Sequence, residues 1–116
     1  MYVGTGKMTL IDSVVQQNTT GAGGSGCGDL SSPIGCMAGV GGGIAVIGYA
    51  QDAQLELTGT TVQSNVIGPA GSLTVKGGDG GGIYCEGGLL DLTEATVAAN
   101  LAGDGGAGAT YGGRGG

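Results

Sequence analysis

Three segments of the chain align without a gap. They are "MTLIDSVVQQN" (Met8 to Asn18), "LELTGTTVQSN" (Leu55 to Asn65) and "LDLTEATVAAN" (Leu90 to Asn100). Each alternates apolar and polar residues and closes on Val-x-x-Asn. A second block precedes them: "GGGIAVIG" from Gly41, "GGGIYCEG" from Gly80, and the opening "MYVG" without its glycines. Self-similarity of this kind limits the fold more than any single motif, because a short unit repeated in tandem cannot bury its own apolar face and must lay it on its neighbours.

Period-two alternation predicts strands, not helices. In the first block Met1 and Val3, Ile44 and Val46, and Ile83 and Cys85 share a face. In the second, Met8 and Leu10, Leu55 and Leu57, and Leu90 and Leu92 do so. Tyr2, Ala45 and Tyr84, then Thr9, Glu56 and Asp91, point the other way. Asn18 and Asn65 are 47 residues apart, and Asn65 and Asn100 are 35 apart. Units of that length with two or three short strands predict an all-β solenoid. Parallel strands stacked at about 4.8 Å would form a parallel β-helix of about three coils joined by glycine-rich loops. The chain reads as one segment, 1–116, with repeats at 1–40, 41–79 and 80–116.

Glycine supplies 31 of the 116 residues, but without the period of three and the proline that collagen needs. Its expected role is in turns that require φ > 0 and in close contacts between successive coils. Val15, Val62 and Val97 lead to Asn18, Asn65 and Asn100. These asparagines are expected to form a ladder, each amide bonding the coil above and the coil below. The alternative is a left-handed turn asparagine facing water.

"GGGIY" followed by Val-x-x-Asn resembles the repeat of polymorphic outer-membrane proteins and related autotransporter-like surface proteins. The match falls on Gly41 to Ile44, Gly80 to Ile83, Val15 to Asn18, Val62 to Asn65 and Val97 to Asn100. Valine stands where that family prefers phenylalanine, and the third position of the glycine motif is glycine. The resemblance implies a right-handed parallel β-helix, exported to a cell surface and often adhesive.

The chemistry of the chain is sparse. It has no histidine, which removes imidazole bases and the nucleophile pairs that depend on them. Glu56 and Asp91 should share one outward column, but no cationic base lies in phase with them, and the chain is read as a non-enzyme. Asp79 and Asp104 sit in glycine-rich loops, though not at the aspartate position of calcium-binding β-roll repeats. No cofactor or metal site is assigned. A net charge of −6, with Lys7, Lys76 and Arg114 the only cations, argues against nucleic acid. No apolar run is long enough for a membrane-spanning helix.

Cys27 and Cys36 bracket the longest loop. A disulfide closing it would stabilise by about 2.7 kcal/mol in the chain-entropy model and would suit an extracellular setting. The alternative is two reduced thiols in a mobile loop. Cys85, in phase with Val3 and Val46, is expected to be a buried apolar thiol. Outward Tyr2 and Tyr84 could stack on a sugar ring, or could simply cover the sheet.

No cap is recognisable at either end of the repeats. Joining the end of one copy to the start of another places Asn100 and the next Asn18 34 residues apart, beside 35 within the chain. The expected function is therefore a structural extracellular solenoid in a surface fibre or stalk. Its expected partners are copies of itself or adjoining coils, head to tail. The alternative is an adhesin-type module that binds carbohydrate or a host surface through its loops.

Overall fold

A computed structural model describes residues 1–23, 39–71, 76–106 and 112–115. All regular structure among them is β-strand. The first repeat contributes β1 (Tyr2–Val3), β2 (Gly6–Ile11) and β3 (Val14–Gln16). The second contributes β4 (Ile44–Ile47), β5 (Ala53–Thr58) and β6 (Thr61–Gln63), and the third β7 (Ile83–Glu86), β8 (Leu89–Thr93) and β9 (Thr96–Ala98). Each repeat sends one strand to each of three parallel sheets, ordered β1-β4-β7, β2-β5-β8 and β3-β6-β9.

The register unites the positions that recur in the sequence. Met8, Leu55 and Leu90 are successive partners, as are Leu10, Leu57 and Leu92. Val3, Val46 and Cys85 form a third row, and Val15, Val62 and Val97 a fourth. A separate strand runs through the start of the Val-x-x-Asn segment in every repeat, the third of the two or three short strands expected of each unit. Three residues are too few for alternation to show, so this strand is legible only as a recurrent valine.

Pairing continues beyond the strand ends. Asp12 N–H donates to Thr58 O at 2.9 Å and Gly59 N–H to Thr93 O at 3.0 Å. Gln17 and Ser64 donate in the same way to Gln63 O and Ala98 O, at 3.3 and 3.2 Å. These turn residues have left-handed backbones in equivalent places. Asp12, Gly59 and Glu94 lie at φ 45°, 57° and 51°, and Gln17, Ser64 and Ala99 at 56°, 54° and 52°. Glycine was the expected residue at such turns, yet it fills only one of these six positions. A left-handed L-residue costs roughly 1–2 kcal/mol. The hydrogen bonds to the next repeat hold several of them there.

The core centres on the middle repeat. Ile44, Val46, Ala53, Leu55, Leu57 and Val62 are buried together with Val3, and Met8, Leu10, Val15, Ile83 and Ala95 pack around them. Leu90, Leu92, Val97 and Leu101 of the third repeat lie outside this core.

Candidate functional site

The three asparagines meet at the end of the β3-β6-β9 sheet. Asn18 Nδ2 donates to Asn65 Oδ1 at 2.8 Å, and Asn65 Nδ2 donates to Asn100 Oδ1 at 2.9 Å. Each acceptor oxygen also takes a backbone N–H from the preceding repeat, Asn18 N at 3.1 Å and Asn65 N at 2.9 Å. The amides reach backward as well, Asn65 Nδ2 to Val15 O at 3.1 Å and Asn100 Nδ2 to Val62 O at 3.0 Å. Asn65, fully buried, therefore has both amide hydrogens and its carbonyl engaged. An unpartnered amide at this depth would cost about 1–3 kcal/mol.

The glycine motif and the asparagine motif are two halves of one arrangement. A Cβ on Gly43 would come within 2.9 Å of Asn65 Nδ2 and 2.8 Å of Gly82 O. A Cβ on Gly82 would meet Asn100 Nδ2 at 2.5 Å. The last glycine before each isoleucine thus leaves room for the asparagine of its own repeat.

Two further polar contacts link the first and second repeats. Thr60 is fully buried. Its Oγ1 donates toward Leu10 O at 3.2 Å and Thr58 O at 3.1 Å, and accepts Ser13 N–H at 3.4 Å. Sequence reading passes over Thr60 because the same position is Ser13 in the first repeat and an alanine, Ala95, in the third. Gln63 Nε2 donates to Gln16 Oε1 at 2.9 Å on the outside. That pairing stops at Ala98, the partner of Gln63 in the third repeat.

The last repeat presents an apolar face. Leu90 is 37% exposed, Leu92 45%, Val97 43% and Leu101 57%, whereas Leu55 and Leu57 are each 1% exposed. Cys85 lies in register with Val46, but it is exposed rather than buried. The reason is position, because no strand among the described residues covers β7 on its outer side.

Charges sit on the outward rows. Lys7 Nζ pairs with Glu56 Oε1 at 2.5 Å, and Thr9 Oγ1 donates to Glu56 Oε2 at 3.4 Å. Glu56 and Asp91 are register partners. Gln54, Leu55, Glu56, Leu89, Leu90 and Asp91 line a hollow of about 250 Å³ that contains no aromatic side chain. Tyr84 donates its hydroxyl to Glu86 Oε2 at 2.7 Å. That bond, with burial and the nearby carboxylate charges, pushes the phenol up to about 12.

Asp79 ties a glycine-rich loop to the segment 112–115. It accepts from Lys76 Nζ, and from Arg114 N–H at 2.6 Å. Burial alone would raise its carboxyl. The two hydrogen bonds and the charges of Lys76 and Arg114 outweigh that effect and hold it below the usual range. Beside it, Gly80 N–H and Gly81 N–H donate to Arg114 O and Gly115 O, each at 2.7 Å. One repeat earlier, Gly41 and Gly42 donate to Asp79 O and Gly80 O, each at 3.0 Å. Gly41, Gly80 and Gly115 share φ values of 68°, 71° and 71°. Arg114 and Gly115 therefore rest on the glycine run of the third repeat as Asp79 and Gly80 rest on that of the second.

Among the described residues no group of three or more His, Cys, Asp or Glu side chains is placed to hold a metal ion. Among them, too, no helix is long and apolar enough to cross a membrane. Cys27 and Cys36 lie outside the described residues. No family model, curated protein or solved structure matches the chain.

Proposed function

We propose that the chain is a structural element of an extracellular fibre or stalk, in which its repeats are the coils of a right-handed parallel β-helix continued by further coils at both ends. The three sheets are then the walls of the helix, and Asn18, Asn65 and Asn100 its internal ladder. The right hand and the surface location follow from the resemblance to polymorphic outer-membrane repeats. Cys27 and Cys36 are bridged in this reading, and the chain carries no catalysis.

The observation that carries the proposal is the contrast between register and burial. Leu90, Leu92 and Val97 occupy the rows of Leu55, Leu57 and Val62, yet each is more than a third exposed. An apolar row paired on one side and bare on the other is the surface on which a solenoid adds its next coil. A binding module would instead need a groove with convergent polar or aromatic groups. The hollow beside Glu56 and Asp91 has no aromatic lining.

Electron microscopy of the purified protein tests the fibre. Rods or filaments much longer than one chain and of uniform width are expected. Particles of single-chain size at every protein concentration would defeat it.

A further inference from the structure

We propose that the outer face of the third repeat receives the first repeat of a second copy of this chain, head to tail, in one register: Met8 on Leu90, Leu10 on Leu92, Val15 on Val97 and Asn18 on Asn100. This rests on the fibre reading and specifies its joint.

Open hydrogen-bonding positions of the asparagine column define the joint. In the middle repeat Asn65 Oδ1 accepts both the N–H and the Nδ2 of Asn18, while its own Nδ2 donates backward to Val15 O. At the first repeat this pattern is half made. Asn18 Nδ2 turns to Gln16 O of its own strand at 3.2 Å, and no group among the described residues donates to Asn18 Oδ1. At the third repeat Asn100 Nδ2 reaches back to Val62 O, and among the described residues it has no acceptor ahead. Set one copy on another, and Asn100 N–H and Nδ2 find the incoming Asn18 Oδ1. The incoming Asn18 Nδ2 finds Val97 O. Both copies recover the bonds that Asn65 makes in the interior.

The apolar rows and the charges agree with the same register. Met8, Leu10 and Val15 are partly buried and continue the rows of exposed Leu90, Leu92 and Val97. Lys7 lies diagonally to Glu56 of the following repeat, and Asp91 is the register partner of Glu56. In the joint the incoming Lys7 lies beside Leu89, two residues from Asp91 on the opposite diagonal, and stands between the carboxylates of Asp91 and its own Glu56. Arg114 and Gly115 lie against Gly80 and Gly81 just before β7, as Asp79 and Gly80 lie against Gly41 and Gly42 just before β4, which is the same stacking direction as the joint.

Paired cysteines read the register directly. In the joint, Thr9 of one copy faces Asp91 of the next across one strand spacing, about 4.8 Å. Within a copy β5 lies between them, about twice that distance, beyond the Cα separation a disulfide spans. The double variant Thr9→Cys/Asp91→Cys, mildly oxidised, should give a ladder of linked dimers, trimers and higher species on a non-reducing gel. Thr9→Cys/Thr93→Cys, displaced by two residues, should stay at the wild-type level, and each single variant should show no ladder above that level. Rods in the microscope without a ladder from the first variant, or with an equal ladder from the second, would overturn this register and leave the fibre standing. Linked dimers from Thr9→Cys alone, at the yield of the double variant, would indicate a head-to-head contact and overturn it too. Absence of rods and of ladders together defeats the fibre reading itself.

Discussion

Leu57 and Leu92 are the same residue, on neighbouring strands, in direct register, yet one is 1% exposed and the other 45%. Val62 and Val97 repeat the contrast at 0% and 43%. The middle and last repeats thus differ in what lies on them more than in what they contain. In a stacked repeat protein the contribution of a side chain depends on whether its layer is covered on both sides, since each repeat gains most of its stability from its neighbours.

The largest expected effect tests that contrast. Leu57→Ala opens a cavity inside a covered row and should destabilise the protein by about 2–5 kcal/mol. Leu92→Ala leaves no sealed cavity in the separate chain and should cost roughly 1 kcal/mol or less. Denaturant midpoints measured in dilute solution check both. Equal losses would mean that Leu92 is as well covered as Leu57 in solution. Under the proposed joint, the gap between the two variants should narrow at concentrations where copies assemble.

A smaller effect separates the inner column from the outer one. Asn65→Ala removes an amide that spans three repeats, and leaves Asn18 Nδ2 and Asn100 Oδ1 short of partners. The expected loss is about 1–3 kcal/mol. Gln63→Ala breaks one exposed bond to Gln16 and should stay within about 0.5 kcal/mol. Coincident unfolding curves for the two variants would show that the asparagine column carries no special stability.

How far the sequence reveals this arrangement varies with the element. Strands β2, β5 and β8 are legible because five or six residues suffice for alternation, and a shared inward face fixes their register. Strands β3, β6 and β9 are too short for that signal. The left-handed turns at Asp12, Gln17, Ser64, Glu94 and Ala99 are hidden for another reason. At Asp12, Gln17 and Ser64 the backbone N–H bonds to a carbonyl of the next repeat, which local composition does not encode, while Glu94 and Ala99 keep the same conformation without such a bond among the described residues. The recurrence of Val-x-x-Asn is plain in the sequence, but its dependence on Gly43 and Gly82 is a contact between segments some twenty residues apart. Cys85 shows the opposite limit: its row is legible, while its exposure reflects that no strand among the described residues covers β7 on its outer side. Cys27 and Cys36 remain a sequence expectation, since they fall outside the described residues.

The smallest effect concerns the glycine runs, which also differ between the two regions. Gly41 and Gly42 rest on Asp79 and Gly80 through backbone bonds. Gly80 and Gly81 rest on Arg114 and Gly115 in the same way, with the Asp79 carboxylate as an added tie through Lys76 and Arg114 N–H. The carboxyl of Asp79 is held below its usual range in the folded chain. A depressed folded value means that the unfolded chain takes up the proton first. The contribution is therefore complete above the unfolded value, about 3.9, and is lost as pH falls through the folded one. Acidification below about pH 4 should loosen residues 112–115 from the third repeat and leave the contact of Gly41 and Gly42 in place. Hydrogen exchange can resolve the two, with protection falling at Gly80 and Gly81 but not at Gly41 and Gly42 beyond the ordinary pH dependence of exchange. Asp79→Asn should remove this acid response and show lower protection at Gly80 and Gly81 at neutral pH. If both glycine pairs lose protection together, the last layer is held by the same backbone bonds as the middle one, and the carboxylate adds nothing to it.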